Sequence, residues 1–259
     1  MKKVFLLMTT ALFSFDARAV TCTATPECAA LGYKYTEAEC PDGSVKCPYG
    51  SSYYCPNPRL SCAIGDIFYT DNTCVAAANH NSSKTVLGIV VHITDDGQHG
   101  QIMSPWPIDK NGNKSSSDVG MAWGGDGIDI SSLPNYGPLE KASKDYDSCG
   151  NTNKIVAAGN ASTYPAAWAA RKYAPTEATK GKWCLPAAGI MTNIYKNQSA
   201  IQTAISKVGG VSYPKCCNWS SSEYDKDYAW LSYFYNSCGL EYYYRAKYHD
   251  NYVRPVLEF

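Results

Sequence analysis

Between residues 64 and 103 the apolar positions fall in short dense runs rather than at helical spacing. Ile67, Phe68 and Tyr69 make one run, and a second over 85–93 holds Val86, Leu87, Ile89, Val90, Val91 and Ile93. Their length and β-branched content predict strands. Asp95, Asp96 and Gly97 supply a turn, and Gly100–Met103 returns as a partner strand, so a hairpin is predicted here. Over 109–137 the pattern gives way to Gly, Ser, Asn and Asp, which predicts a long irregular loop carrying Trp123 and a turn at Gly124, Gly125, Asp126 and Gly127.

Helical signals follow. Asn151, Thr152 and Asn153 offer N-cap chemistry ahead of Lys154–Ala158, and 166–173 reads as a second helix stopped by Pro175. Pro186 fits the first turn of a helix through Ile190, Ile194 and Tyr195. Ile201, Ile205 and Val208 then recur at spacings of four and three before Gly209 and Gly210 end the pattern. The last block, in 229–235, 241–245 and 252–259, is rich in aromatic and β-branched residues and predicts strands, so the chain is expected to end in an antiparallel sheet with the helices laid on it. The fold class is α+β.

The first residues belong to none of this. Lys2 and Lys3, an apolar run from Val4 to Phe13, and Ala17-Arg18-Ala19 form the pattern of a secretory signal, so 1–19 is expected to be cleaved and Val20 to lead the mature chain. The apolar run is about half the ~20 residues a spanning helix needs. Residues 20–62 are poor in aliphatic side chains and form an expected Cys-rich module, with Cys-Pro steps at Cys40, Cys47 and Cys55. Such a stretch buries too little apolar area to fold without cross-links. Residues 63–259 form the second domain.

Twelve cysteines in an exported chain predict a disulfide framework: Cys22, Cys28, Cys40, Cys47, Cys55, Cys62 and Cys74, then Cys149, Cys184, Cys216, Cys217 and Cys238. The groups hold seven and five, so either one bridge joins them or each leaves a thiol over. Separate partners suit the adjacent Cys216 and Cys217 better than a strained bridge between them. The expected location is periplasmic, cell-surface or extracellular. The formal net charge is zero, which gives no electrostatic support for nucleic acid as a partner.

Several segments follow one another in order: Trp183-Cys184-Leu185-Pro186, a helix ending at Gly209-Gly210, Trp219-Ser220-Ser221-Ser222-Glu223-Tyr224, Tyr228-Ala229-Trp230, and Val253-Arg254-Pro255-Val256. Together with Gly97-Gln98-His99-Gly100, they resemble the C-terminal domain family of bacterial collagen-like adhesins over 64–259. That family is a domain of unknown function with a C-type lectin-like fold. The resemblance implies ligand display on the last strands and their loops. It also implies a distant link to the formylglycine-generating enzyme, but the pattern around that enzyme's catalytic cysteines is not reproduced, so no catalytic residue carries over and a non-catalytic role is expected, with an enzyme on that fold, or a structural surface protein without a specific ligand, as the alternatives.

The residue chemistry points the same way. Residues 224–252 interleave tyrosine with Asp, Asn, Ser, Arg and His, a mixture suited to a contact surface for a glycan or protein ligand. The expected contact set is Tyr224, Tyr228, Tyr233, Tyr235, Tyr242, Tyr244, Arg245 and His249. Trp219, Trp230 and Phe234 are expected in the core, and Glu223 is expected to pair with Arg254 and pin the last strand. His80, His92, His99 and His249 show no ligand spacing, and Asp95, Asp96, Asp126 and Asp129 form no calcium loop, so no metal or cofactor is expected. Ser220–Ser222 lack a nucleophile elbow and a histidine partner.

Overall fold

The computed structural model describes residues 62–94, 99–213, 216–235 and 239–259, with three short strands nearer the N-terminus; for those three strands, and for 216, 233–235 and 239–243, only the backbone is described. The expected signal, the turn at Asp95–Gly97, Cys22, Cys28, Cys40, Cys47 and Cys238 lie outside the described residues, as do the side chains of Cys55, Cys216 and Phe234. Two units are present, Met1–Arg59 and Leu60–Phe259. In the first, strands β1 (Tyr33–Lys34), β2 (Val45–Lys46) and β3 (Tyr53–Pro56) form an antiparallel sheet in the order β1-β3-β2.

The second unit is α+β. Strands β4 (Ile67–Tyr69), β5 (Cys74–Val75), β6 (Val86–Ile93) and β7 (Gly100–Met103) follow the predicted hairpin and its neighbours. After β8 (Met121–Ala122) come helices α1 (Leu139–Ala142), α2 (Ser148–Ala158), α3 (Pro165–Lys172), α4 (Ala188–Lys196) and α5 (Gln198–Lys207). The chain closes with β9 (Cys216–Glu223), β10 (Tyr228–Tyr235), β11 (Gly239–Ala246), β12 (Asp250–Asn251) and β13 (Val256–Glu258).

The dense apolar run of β6 is explained by burial on both faces, since Ile89, Val90 and Val91 are all fully buried. Ile89 and Val91 pack with Ile190, Ile194, Ile201 and Ile205 of α4 and α5. Val90 faces the other way, into a core with Phe68, Trp123, Trp183 and Trp219. A strand covered on both sides gains nothing from polar alternation.

The end of the chain corrects the sequence reading. β9, β10 and β11 form a sheet of their own, but β13 leaves it and pairs with β7, giving a five-stranded sheet in the order β13-β7-β6-β4-β5. Gly100 and Phe259 exchange backbone hydrogen bonds at 3.1 Å, and the Phe259 ring lies 4.5 Å from Phe68. The helix starts also differ. Asp147, rather than Asn151–Asn153, caps α2 by accepting from the Gly150 amide at 2.9 Å, while Asn151 and Thr152 are buried inside the helix. Pro186 stands two residues ahead of α4, outside its first turn.

Two described disulfides staple this unit. Cys62, assigned by sequence to the Cys-rich module, bonds Cys74, and Cys149 at the start of α2 bonds Cys184 ahead of α4. Cys217 takes a left-handed backbone at φ 72°, a conformation that marks an irregularity at the start of β9.

Arg254 does not meet Glu223. It is fully buried, and its guanidinium donates to the carbonyls of Pro105 (3.2 Å), Val211 (2.9 Å) and Ser212 (3.1 Å), with Asp118 at 3.7 Å and the Tyr213 ring beneath it. The planar fork of donors suits three carbonyls outside the strands, of which Pro105 O also accepts from Val211 N–H at 3.0 Å. Arg254→Ala should therefore cost about 3–5 kcal/mol of unfolding free energy, read by urea denaturation, because it orphans buried acceptors and a carboxylate. Tyr213 is fully buried by the same group, and burial pushes its hydroxyl up from 10.0 to about 12. The unfolded chain thus loses this proton first, and stability should fall as pH rises from 10 to 12. Tyr213→Phe should make that alkaline decline shallower in denaturant titrations at successive pH values.

Candidate functional site

The site is the outer end of the three-stranded sheet, where β9 turns into β10. Asp225 builds the turn: its carboxylate accepts from the amides of Asp227 and Tyr228, both at 2.9 Å, while Tyr224 N–H donates to Tyr228 O at 3.0 Å. An aspartate that accepts from amides two and three residues on is a local substitute for backbone pairing. Its result is that Tyr224 and Tyr228 stand at the two ends of one tight turn. Tyr244 joins them from β11, whose register sets it opposite Trp230.

The rings touch. Tyr224 stacks on Tyr244 at 4.1 Å and 21°, and Tyr228 meets both edge-on, at 6.4 and 5.5 Å. Trp230 closes the group from below at 5.4 Å from Tyr224 and 5.8 Å from Tyr244. Trp230 is 3 % exposed, whereas Tyr228 and Tyr244 are 37 % and 43 % exposed. Edge-on and offset contacts of this kind add roughly 0.5–1.5 kcal/mol per pair beyond area burial. The tyrosines are thus held in place while still facing solvent.

Beneath them the packing is polar and closed. Trp230 Nε1 donates to Tyr136 O at 2.8 Å, and Trp230 packs on Ala142 and Ala188 with Tyr136 beside it. Burial, then the neighbouring Asp145, pushes the Tyr136 hydroxyl up to about 12. The Asp145 carboxylate accepts from Ser222 Oγ at 2.5 Å and Asn151 Nδ2 at 2.7 Å, and Ser222 Oγ accepts from Ala188 N–H at 2.9 Å. Ser220 donates to Trp230 O. Both serines are fully buried, Ser222 joining β9 to the segment before α2 and to α4, and Ser220 joining β9 to β10.

No protein-family model matches the chain, and no curated protein is similar to it in sequence. The crystal structure of a fimbrial protein from Bacteroides ovatus ATCC 8483 is similar in fold, with a TM-score of 0.55 at 13% identity over 76% of this chain. The chain spans about half of that protein, 49% of its length. The likeness therefore speaks to architecture alone.

Of the expected contact set, the structure brings together Tyr224, Tyr228 and Tyr244. Arg245 is the next residue along β11 and so belongs to the other face, opposite Ala229; its guanidinium reaches Asn251 Oδ1 at 3.3 Å. His249 lies past the end of β11, where its ring leans on Tyr248 at 4.4 Å. The side chains of Tyr233, Tyr235 and Tyr242 lie outside the described residues. Trp219 and Trp230 occupy the core as expected from the sequence. Tyr248, 61 % exposed, was not singled out, although it sits in the same tyrosine-rich stretch.

Lys247 was also missed, and no spacing signals it. It is fully buried, as is its partner Glu223. Its ammonium donates to the Glu223 carboxylate and to the carbonyls of Ile128 and Lys226, both at 2.9 Å, and lies 4.9 Å over the Trp123 ring. All three ammonium protons are thereby used. Lys247→Met should cost about 3–5 kcal/mol by leaving Glu223 charged and buried. In Glu223→Leu/Lys247→Met most of that loss should return; unfolding curves that show no recovery would mean that the two residues do not act as a pair.

Proposed function

We propose that this is an exported, non-catalytic recognition or adhesion protein that binds a surface glycan or protein through the aromatic group of Tyr224, Tyr228 and Tyr244. The observation that carries the reading is the mutual ring contact of these three side chains, with Tyr228 and Tyr244 exposed and Tyr224 half-buried, over a buried Trp230 floor. Tyrosine gives a large stiff contact face with a polar tip and loses little rotamer entropy on binding, more so when neighbours already hold it. In this proposal the second unit is a C-type lectin-like domain of the kind found in collagen-like adhesins, led by a disulfide-stapled N-terminal module. The shared architecture with a fimbrial protein supports a surface role.

A hydrolytic reading has weaker support. Ser220, Ser221 and Ser222 are buried, and Ser222 is engaged at both of its hydrogen-bonding functions by Asp145 and Ala188. A nucleophile needs access to substrate and a base.

The test is a glycan array and a host-matrix protein panel probed with the full-length mature chain, beside Tyr228→Ala/Tyr244→Ala. The variant should fold, since both side chains are partly exposed, and should lose tenfold or more in affinity for whatever the wild type selects. Identical binding profiles for the two proteins would refute the assignment.

A further inference from the structure

A second concave surface lies away from the tyrosines, between the turn after β7 and the end of α3. It encloses about 420 Å³ and is lined by Trp106, Asn113, Lys114 and Lys172, with Val86 and Pro175 at its edges. That volume lies within the ~300–1,000 Å³ range of ligand pockets. Its walls are firm. Asp109 folds the 109–113 turn by accepting from the amides of Asn111 (2.9 Å) and Asn113 (2.8 Å) and from Asn113 Nδ2 (3.1 Å). At the apex Gly112 has φ +77°, and a Cβ there would stand 2.7 Å from Lys172 Cβ and from Tyr173 N. The turn is therefore pressed against the end of α3 as closely as backbone allows. Trp106 is fixed from behind, with its amide donating to Ser104 Oγ at 3.2 Å and its indole N–H to Gly209 O at 3.4 Å.

The chemistry of this groove is one-sided. Two lysines line it and no carboxylate does, in a chain whose formal net charge is zero. Asp109, at the base of the turn, points its carboxylate into its own loop. Among the described residues neither Lys114 nor Lys172 has a carboxylate partner, and the Lys114 ammonium rests 3.4 Å over the electron-rich face of the neutral Trp106 ring. We infer that this groove is a binding site for an acidic saccharide, a pyranose bearing a carboxylate. The sugar's C–H face takes the Trp106 indole, its carboxylate draws Lys114 off the ring and pairs with Lys114 and Lys172, and Asn113 meets its hydroxyls. The apolar wall is a flat indole edged by Val86 and Pro175, which suits a ring face better than a peptide side chain that needs a hole.

The full-length chain would be titrated by calorimetry with a galacturonate oligomer, the matching neutral galactose oligomer and inorganic phosphate. The expected result is binding of the acidic oligomer alone, weakened by added salt and reduced tenfold or more in Lys114→Ala/Lys172→Ala. Both lysines are exposed, so this variant keeps its fold, and circular dichroism would check that it does. Trp106→Leu should lower the affinity further while leaving the salt dependence in place. Lys226→Ala, a lysine beside the tyrosine group, should change nothing. The inference is overturned if no binding occurs, if the neutral oligomer or phosphate binds equally well, if the lysine pair is dispensable, or if Lys226→Ala removes the binding.

Discussion

The ammonium of Lys247 is the constraint on which the outer end of the sheet depends. It joins the last residue of β9 through Glu223, the hairpin tip through Lys226 O, and the long loop through Ile128 O. The Lys247 backbone repeats the pattern, taking Asp227 O at 3.0 Å and giving its own carbonyl to Gly124 N–H at 3.1 Å. One residue therefore ties the turn after β11 to the turn between β9 and β10 and to the 124–128 loop. A buried ion pair gains little over an apolar pair in net stability, because desolvation offsets most of the attraction. Its value lies in geometry: the carboxylate and the carbonyls accept in only one arrangement, so the tip that carries Tyr224 and Tyr228 has one position relative to β11 and Tyr244.

Local rules located the elements built from local signals. The β6 and β7 hairpin, α3 and α5 follow from run length, β-branching and Gly or Pro punctuation within their own windows. What escaped was pairing across long separations. β13 looks like one more strand of the C-terminal block, and nothing in Val256–Glu258 shows that its hydrogen bonds go to Gln101–Met103. The charged residues failed for the same reason. Glu223 and Arg254 are each buried and each partnered, but by Lys247 and by loop carbonyls, which no periodicity connects to them.

The contact set shows a different limit. Tyrosine content marked the right region, but the expected set joined Tyr244 and Arg245, which as adjacent residues of β11 face apart. Choosing the useful face required knowing which side of the sheet is covered. Ala229, Leu231 and Trp219 fill the main core from one side of β10, and Trp230 faces Ala142 and Ala188 on the other. The sheet is thus covered on both faces along its middle, and exposed aromatics are left where α1 and α4 stop short of its outer end.

That placement explains how aromatic side chains stay in water without collapsing. A lone exposed tyrosine is mobile and contributes little to a surface, while a contiguous apolar patch invites aggregation. Here Trp230 is anchored through Tyr136 O, Tyr136 stands next to Asp145, and Asp145 is bound by Ser222 and Asn151. Tyr224 and Tyr244 rest on the anchored Trp230, and Tyr228 leans on both of them. The surface that results is small, stiff and tipped with hydroxyls, so a ligand meeting it has little ordering left to impose; most of the conformational entropy that binding would otherwise remove was already removed when the chain folded.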